Sequence, residues 1–199
     1  MTIDIDESKV VRNEFSMWLG WTLATFVGML LGFLPSILLV DAVDLGLARI
    51  LVPVLAGLLV GFSQWVVLRR YLTESSDWIL SGGAGWAAGY ALGLFIMQGL
   101  MGTFLGGLAG YVLFGVIVGV VQWPVLRREI PNALAWIFAN VIGWTVGFYL
   151  SQAALTVFFN SPTIAPAAST AVIAGTSGLV AGTITGLALV WIVRQPERA

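Results

Sequence analysis

The chain contains no cysteine and no histidine. Disulfides, thiolate nucleophiles, thiolate zinc sites and axial imidazole ligation of haem are therefore closed to it. Charge is nearly as scarce. Only 10% of the residues are charged, against about 25% in an ordinary soluble domain, and the net charge is −1. No basic stripe or tail is present to neutralise phosphates, so a nucleic-acid partner is not expected. A Walker loop, a dinucleotide fingerprint, metal-ligand spacing and a nucleophile beside a base are all missing. The sequence thus reads as a non-enzyme with no metal and no predicted cofactor.

Apolar residues fill the space that charge leaves. They make up 59% of the chain, and the mean hydropathy is +0.96. A helix needs about 20 apolar residues to cross about 30 Å of hydrocarbon. Six runs meet that length: Phe15–Leu34, Ile50–Leu68, Trp78–Met97, Phe104–Leu126, Ala135–Phe158 and Ala171–Val193. The expected fold is all-α, a polytopic membrane protein with one six-helix transmembrane domain over 15–193, flanked by cytoplasmic segments 1–14 and 194–199. A barrel is the poorer reading, because stretches such as LFGVIVGVVQW are apolar on every face rather than on alternate residues. The first run follows Lys9 and Arg12 as a signal peptide would, but Asp4, Asp6, Glu7 and Glu14 precede it and no small-residue cleavage site follows. It reads as a retained span.

The basic residues are segregated by loop. Lys9, Arg12, Arg69, Arg70, Arg127, Arg128, Arg194 and Arg198 fall on one side of the six spans, and only Arg49 falls opposite. Retention of Lys and Arg on the inner side places both termini in the cytoplasm, with the chain in a bacterial inner membrane or a similar one. Trp65 and Trp123 precede Arg69 and Arg127 by about one turn, where indoles favour the headgroup boundary, and are expected as anchors. The alternative for the Arg pairs is a grip on anionic lipid headgroups or a phosphate ligand.

GFSQWVVLRRYL, from residue 61, and GVVQWPVLRREI, from residue 119, are nearly one sentence written twice. A shift of 58 aligns Gly57 with Gly115, Gly61 with Gly119, Gln64 with Gln122, Trp78 with Trp136, Gly85 with Gly143 and Gly89 with Gly147. A weaker third copy places Gly182, Gly186 and Arg194 on Gly57, Gly61 and Arg69, while Gly20-Trp21 echoes Gly143-Trp144. Three helical hairpins in parallel relation, about 15–70, 78–128 and 135–195, form a pseudo-threefold bundle on this reading. Lipid supplies no hydrophobic drive between helices, so the glycine ladders are expected to pack them by close backbone approach.

Gln64 and Gln122 recur at one depth and are expected either to bond across helices or to contact a ligand. In this alignment the third copy carries Leu189 and Val190 instead, which breaks the set. No ionisable residue lies near the middle of a span, and this disfavours ion-coupled transport. Ser75, Ser76 and Asp77 are expected to cap the third helix. Asp41, Asp44 and Arg49 fall in a long connection after Pro35, and NSPTIAPAAS reads as a Pro-rich loop.

With QWVVLRR and Gly-Trp repeated through six spans, the chain resembles a group of small multi-pass bacterial membrane proteins found in cyanobacteria and related phyla. The resemblance implies the fold and an inner-membrane placement, and it carries no activity. The three-hairpin plan is superficially similar to that of mitochondrial carriers, but their acidic-basic proline motif is absent and transport is not carried over. The expected role is that of an accessory, assembly or scaffold subunit, with the bilayer, other membrane subunits or a second copy as partners. The alternative is a passive channel or a transporter of lipids or hydrophobic ligands, using a groove near Gln64 and Gln122. A lipid, quinone or pigment held in a Trp- or Gly-lined cleft is a third reading.

Overall fold

The computed structural model describes residues 7–39, 45–100, 103–158 and 166–194. They form six helices: α1 (Glu7–Leu39), α2 (Leu45–Leu68), α3 (Trp78–Gly99), α4 (Phe104–Leu126), α5 (Ala135–Phe158) and α6 (Pro166–Val193). Each helix packs on the next in the chain, and α6 packs on α1, so the bundle closes into a ring. No other helix pair comes into backbone contact among the described residues.

Five of the helices are long and apolar enough to cross a membrane: Glu14–Pro35, Ile50–Leu68, Trp78–Gly99, Phe104–Leu126 and Ala167–Val193. They support a multi-pass membrane protein. The sixth expected span differs. At 24 residues α5 is long enough, but it carries Asn140, Thr145, Ser151, Gln152 and Thr156 and is not among these five. Outward faces carry large apolar side chains, Phe95 at 72% exposure, Phe104 at 71% and Val157 at 73%. Such a surface suits lipid rather than water.

The glycines set the ring spacing. Gly57 and Gly61 face α3, Gly85 and Gly89 face α4, Gly115 and Gly119 face α5, Gly143 and Gly147 face α6, and Gly182 and Gly186 face α1. Partner numbers fall as glycine numbers rise, so neighbouring helices run antiparallel all round. Several approaches leave no room for a side chain, those of Gly57 and Gly115 among them. A Cβ on Gly57 would stand 2.5 Å from the Gly82 carbonyl oxygen, and one on Gly115 would stand 2.7 Å from the Val141 Cα. Backbone contact this close is what small residues make available where lipid offers no hydrophobic drive.

Three local expectations change. Pro35 does not end the first helix: α1 continues to Leu39, and α2 already contains Arg49, so the connection is short. Proline is tolerated in spanning helices because neighbouring groups re-satisfy the freed carbonyl. Asp41 and Asp44 lie outside the described residues, as does the start of NSPTIAPAAS, whose Pro166 opens α6 at the position where a missing N–H costs nothing. Asp77 stands at the N-cap of α3 without a side-chain cap bond, because its carboxylate is drawn to Arg128 instead. A cap does form at α4, where the Thr103 hydroxyl accepts from the Gly106 N–H at 3.0 Å.

Candidate functional site

The middle of the ring is filled by indoles. Trp21, Trp78 and Trp136 are buried to 1% exposure or less. Their ring centroids lie 5.5 to 5.7 Å apart in all three pairings, edge to face. This geometry suits aromatic quadrupoles. Leu68, Leu126, Leu189 and Ile192 pack around them. A second layer follows along the axis, built from Met29, Trp86, Phe114 and Trp144, with Trp86 and Trp144 5.1 Å apart.

Each indole of the triad has a hydrogen-bond acceptor. Trp78 Nε1 donates to Gln64 Oε1 at 3.1 Å, Trp136 Nε1 to Gln122 Oε1 at 3.1 Å, and Trp21 Nε1 to Thr185 Oγ1 at 3.0 Å. Gln64 also reaches the preceding helix, donating from Nε2 to Thr25 Oγ1 at 3.0 Å, and Thr25 donates to the Trp21 carbonyl. Further along, Asn140 donates to the Trp136 carbonyl and accepts from Trp144 Nε1, both at 3.0 Å. The two glutamines are thus held by interhelical bonds to separate tryptophans. Burial without a partner would cost each indole its lost bond to water, which is why the acceptors sit opposite them. Thr22 Oγ1 and Thr145 Oγ1 are the buried side-chain oxygens without a partner among the described residues.

The third contact set does not follow the expected alignment. Gly61 faces Ile79, Gly119 faces Ile137, and Gly182 faces Thr22, each partner immediately following a triad tryptophan. Thr185 therefore stands three residues beyond Gly182, as Gln64 and Gln122 stand beyond Gly61 and Gly119. Trp21 packs with Trp78 and Trp136, not with Trp144, and Met29 joins Trp86 and Trp144. One signal in the sequence could have found this: glycine, three residues, glycine, two residues, hydrogen-bonding side chain, present at Gly57, at Gly115 and at Gly178.

Charge gathers at the end of the bundle nearest the triad. Arg69 lies over the Trp65 ring at 4.9 Å and Arg127 over Trp123 at 4.6 Å. The loops after α2 and α4 are tied together, because Arg128 pairs with Asp77 at 2.7 Å and the Glu129 carboxylate accepts from the Thr73 and Glu74 N–H groups at 3.1 and 2.6 Å. Slight burial pushes the Glu129 carboxyl upward, but the two N–H donors and the Thr73 side chain outweigh it and hold it below the usual carboxylate range. Arg194 pairs with Glu14, joining the end of α6 to α1.

Two concavities open at this end. One, of about 430 Å³, is lined by Trp65, Arg69, Arg70, Thr73, Ser75 and Ser76. The other, of about 310 Å³, is an apolar groove formed by Phe15, Trp18, Leu187 and Val190. Among the described residues no cluster of acidic side chains has the makings of a metal site. Comparison with protein-family models, curated proteins and solved structures finds no match.

Proposed function

We propose that the chain is a non-enzymatic integral membrane subunit, an accessory, assembly or scaffold element of a membrane complex. The observation that carries this reading is the sealed axis: three buried indoles meet edge to face at the centre, each bonded to its own acceptor. A conduit needs polar groups free to exchange partners with a passing solute. Here the central ones are engaged with one another, and the ionisable groups stay at the ends. What remains for recognition is the outer apolar surface.

The bundle on this proposal is a pseudo-threefold ring whose units pair α2 with α3, α4 with α5 and α6 with α1. The matching bonds of Trp78, Trp136 and Trp21 support that pairing, as do the matching approaches of Gly61, Gly119 and Gly182. All six helices cross the bilayer. For α5 the support is that Asn140, Ser151 and Thr156 each donate to a backbone carbonyl of their own helix. Clustering of Arg69, Arg70, Arg127, Arg128 and Arg194 at one end supports cytoplasmic termini and a bacterial inner membrane.

A second reading, a lipid or hydrophobic-ligand carrier, is favoured by the apolar groove between α1 and α6. Native extraction of the tagged chain in mild detergent, followed by mass spectrometry, separates the two. A membrane-protein partner at reproducible stoichiometry is the expected result. A lone chain carrying bound lipid, quinone or pigment would overturn the accessory role in favour of the second reading.

A further inference from the structure

The arginines at the charged end are in different states. Arg128 and Arg194 are committed to Asp77 and Glu14, while Arg127 and Arg69 lie alike over Trp123 and Trp65. Arg69 and Arg70 are exposed, make no ion pair with any described residue, and line the same cavity of about 430 Å³, whose wall includes the Trp65 ring beneath Arg69. Its volume falls in the range of about 300 to 1,000 Å³ typical of small-molecule sites. Thr73, Ser75 and Ser76 complete the polar wall, with Ser75 Oγ already donating to the Leu72 carbonyl, while Trp65 and Leu72 supply an apolar one. Of the nearby acids, Asp77 is held by Arg128 and Glu129 by two N–H groups, while Glu74 is exposed and does not line the cavity.

The duplicated loop shows that this lining is particular to one copy. RRYLTESSDW and RREIPNALAW share the Arg pair and the closing Trp, but Thr73, Ser75 and Ser76 correspond to Pro131, Ala133 and Leu134. Topology needs only the arginines. Ser75 and Thr73 have partners of their own, the Leu72 carbonyl and the Glu129 carboxylate, which leaves the Ser76 hydroxyl, and two guanidinium forks beside an O–H donor match the oxygens of a phosphate group.

We propose that the cavity binds a phosphate ester through Arg69 and Arg70, with Ser76 donating to a remaining oxygen. Trp65 and Leu72 would flank the uncharged part of the ligand. The source is either an anionic phospholipid headgroup or a soluble phosphate ester, and the site stands whether or not the bundle is an accessory subunit.

The test uses the full chain in phosphatidylcholine nanodiscs, titrated with phosphatidylglycerol in one arm and glycerol 3-phosphate in the other. Binding in the first arm alone identifies a headgroup, and binding in the second a soluble ester; either supports the site. Arg69→Gln/Arg70→Gln should weaken binding about tenfold or more, because two charge-assisted contacts are lost. Arg127→Gln, which removes a charge at the same end but outside the cavity, should leave it within about twofold. Arg69→Lys/Arg70→Lys keeps the charge, guards against a folding defect, and should still lose affinity, since an ammonium cannot present the fork. No binding in either arm, or equal losses in the Arg127 and Arg69/Arg70 variants, would overturn the proposal.

Discussion

Gln64 shows why an uncharged amide sits in the middle of an apolar bundle. It accepts from Trp78 and donates to Thr25, so one side chain ties α2 to both neighbours. Gln64→Leu removes both bonds and leaves a buried indole N–H unpaired. The expected loss is about 1 to 2 kcal/mol, between the modest average for membrane hydrogen bonds and the cost of an unsatisfied buried donor. Thermal unfolding in detergent measures it, and Gln64→Leu/Trp78→Phe should recover part of the loss by removing the stranded donor. An unchanged melting temperature in the single variant would contradict this role.

Glu129 works at the surface and carries a pH signature. Its folded-state carboxyl lies below the usual value, so the stability it adds is present above the carboxylate range and is lost as pH falls through its folded pKa. Amide protection at Thr73 and Glu74 should fall over that window, and in Glu129→Gln it should be low throughout. Protection that ignores both changes would separate the carboxylate from the loop contact.

At the scale of the element, glycine placement decides how close helices come. Gly115→Ala would drive a Cβ to 2.7 Å from the Val141 Cα and 2.8 Å from the Asn140 carbonyl, so backbone has to move. The expected cost is about 1 to 3 kcal/mol. A Cβ at Gly99 would meet nothing within 4 Å, and Gly99→Ala should leave the melting temperature unchanged or slightly raised. Equal effects of the two substitutions would sink the close-approach account.

Helix number was legible in the sequence because long apolar runs have few other solutions in lipid. Ends were less so: Pro35 reads as a stop, yet lies inside α1, since neighbouring groups in a bundle can re-satisfy the carbonyl that proline frees. The amide positions Gln64 and Gln122 could be found from the duplicated motif. Thr185 was hidden because its hydroxyl replaces an amide, and because its partner helix, α1, lies at the far end of the chain.

For the whole molecule, closure of α6 onto α1 turns three similar contacts into a ring whose centre is aromatic. Linear reading pairs helices in the order in which they occur, so it assigns α1 to α2 and cannot see that α6 also packs on α1. The pairing matters for function because it brings Trp21 to Trp78 and Trp136. Without that third indole the axis would have two tryptophans and a gap.

The proposed function rests on a closed axis. Its most direct measurement is flux of protons, water and glycerol through purified chain reconstituted in liposomes, against empty vesicles and a folded Trp21→Ala variant. The wild-type chain should add nothing to the leak of empty vesicles, whereas the variant, with a cavity in place of one indole, should show any increase there is. Selective, saturable flux through the wild-type chain would contradict the closed axis and restore the channel reading.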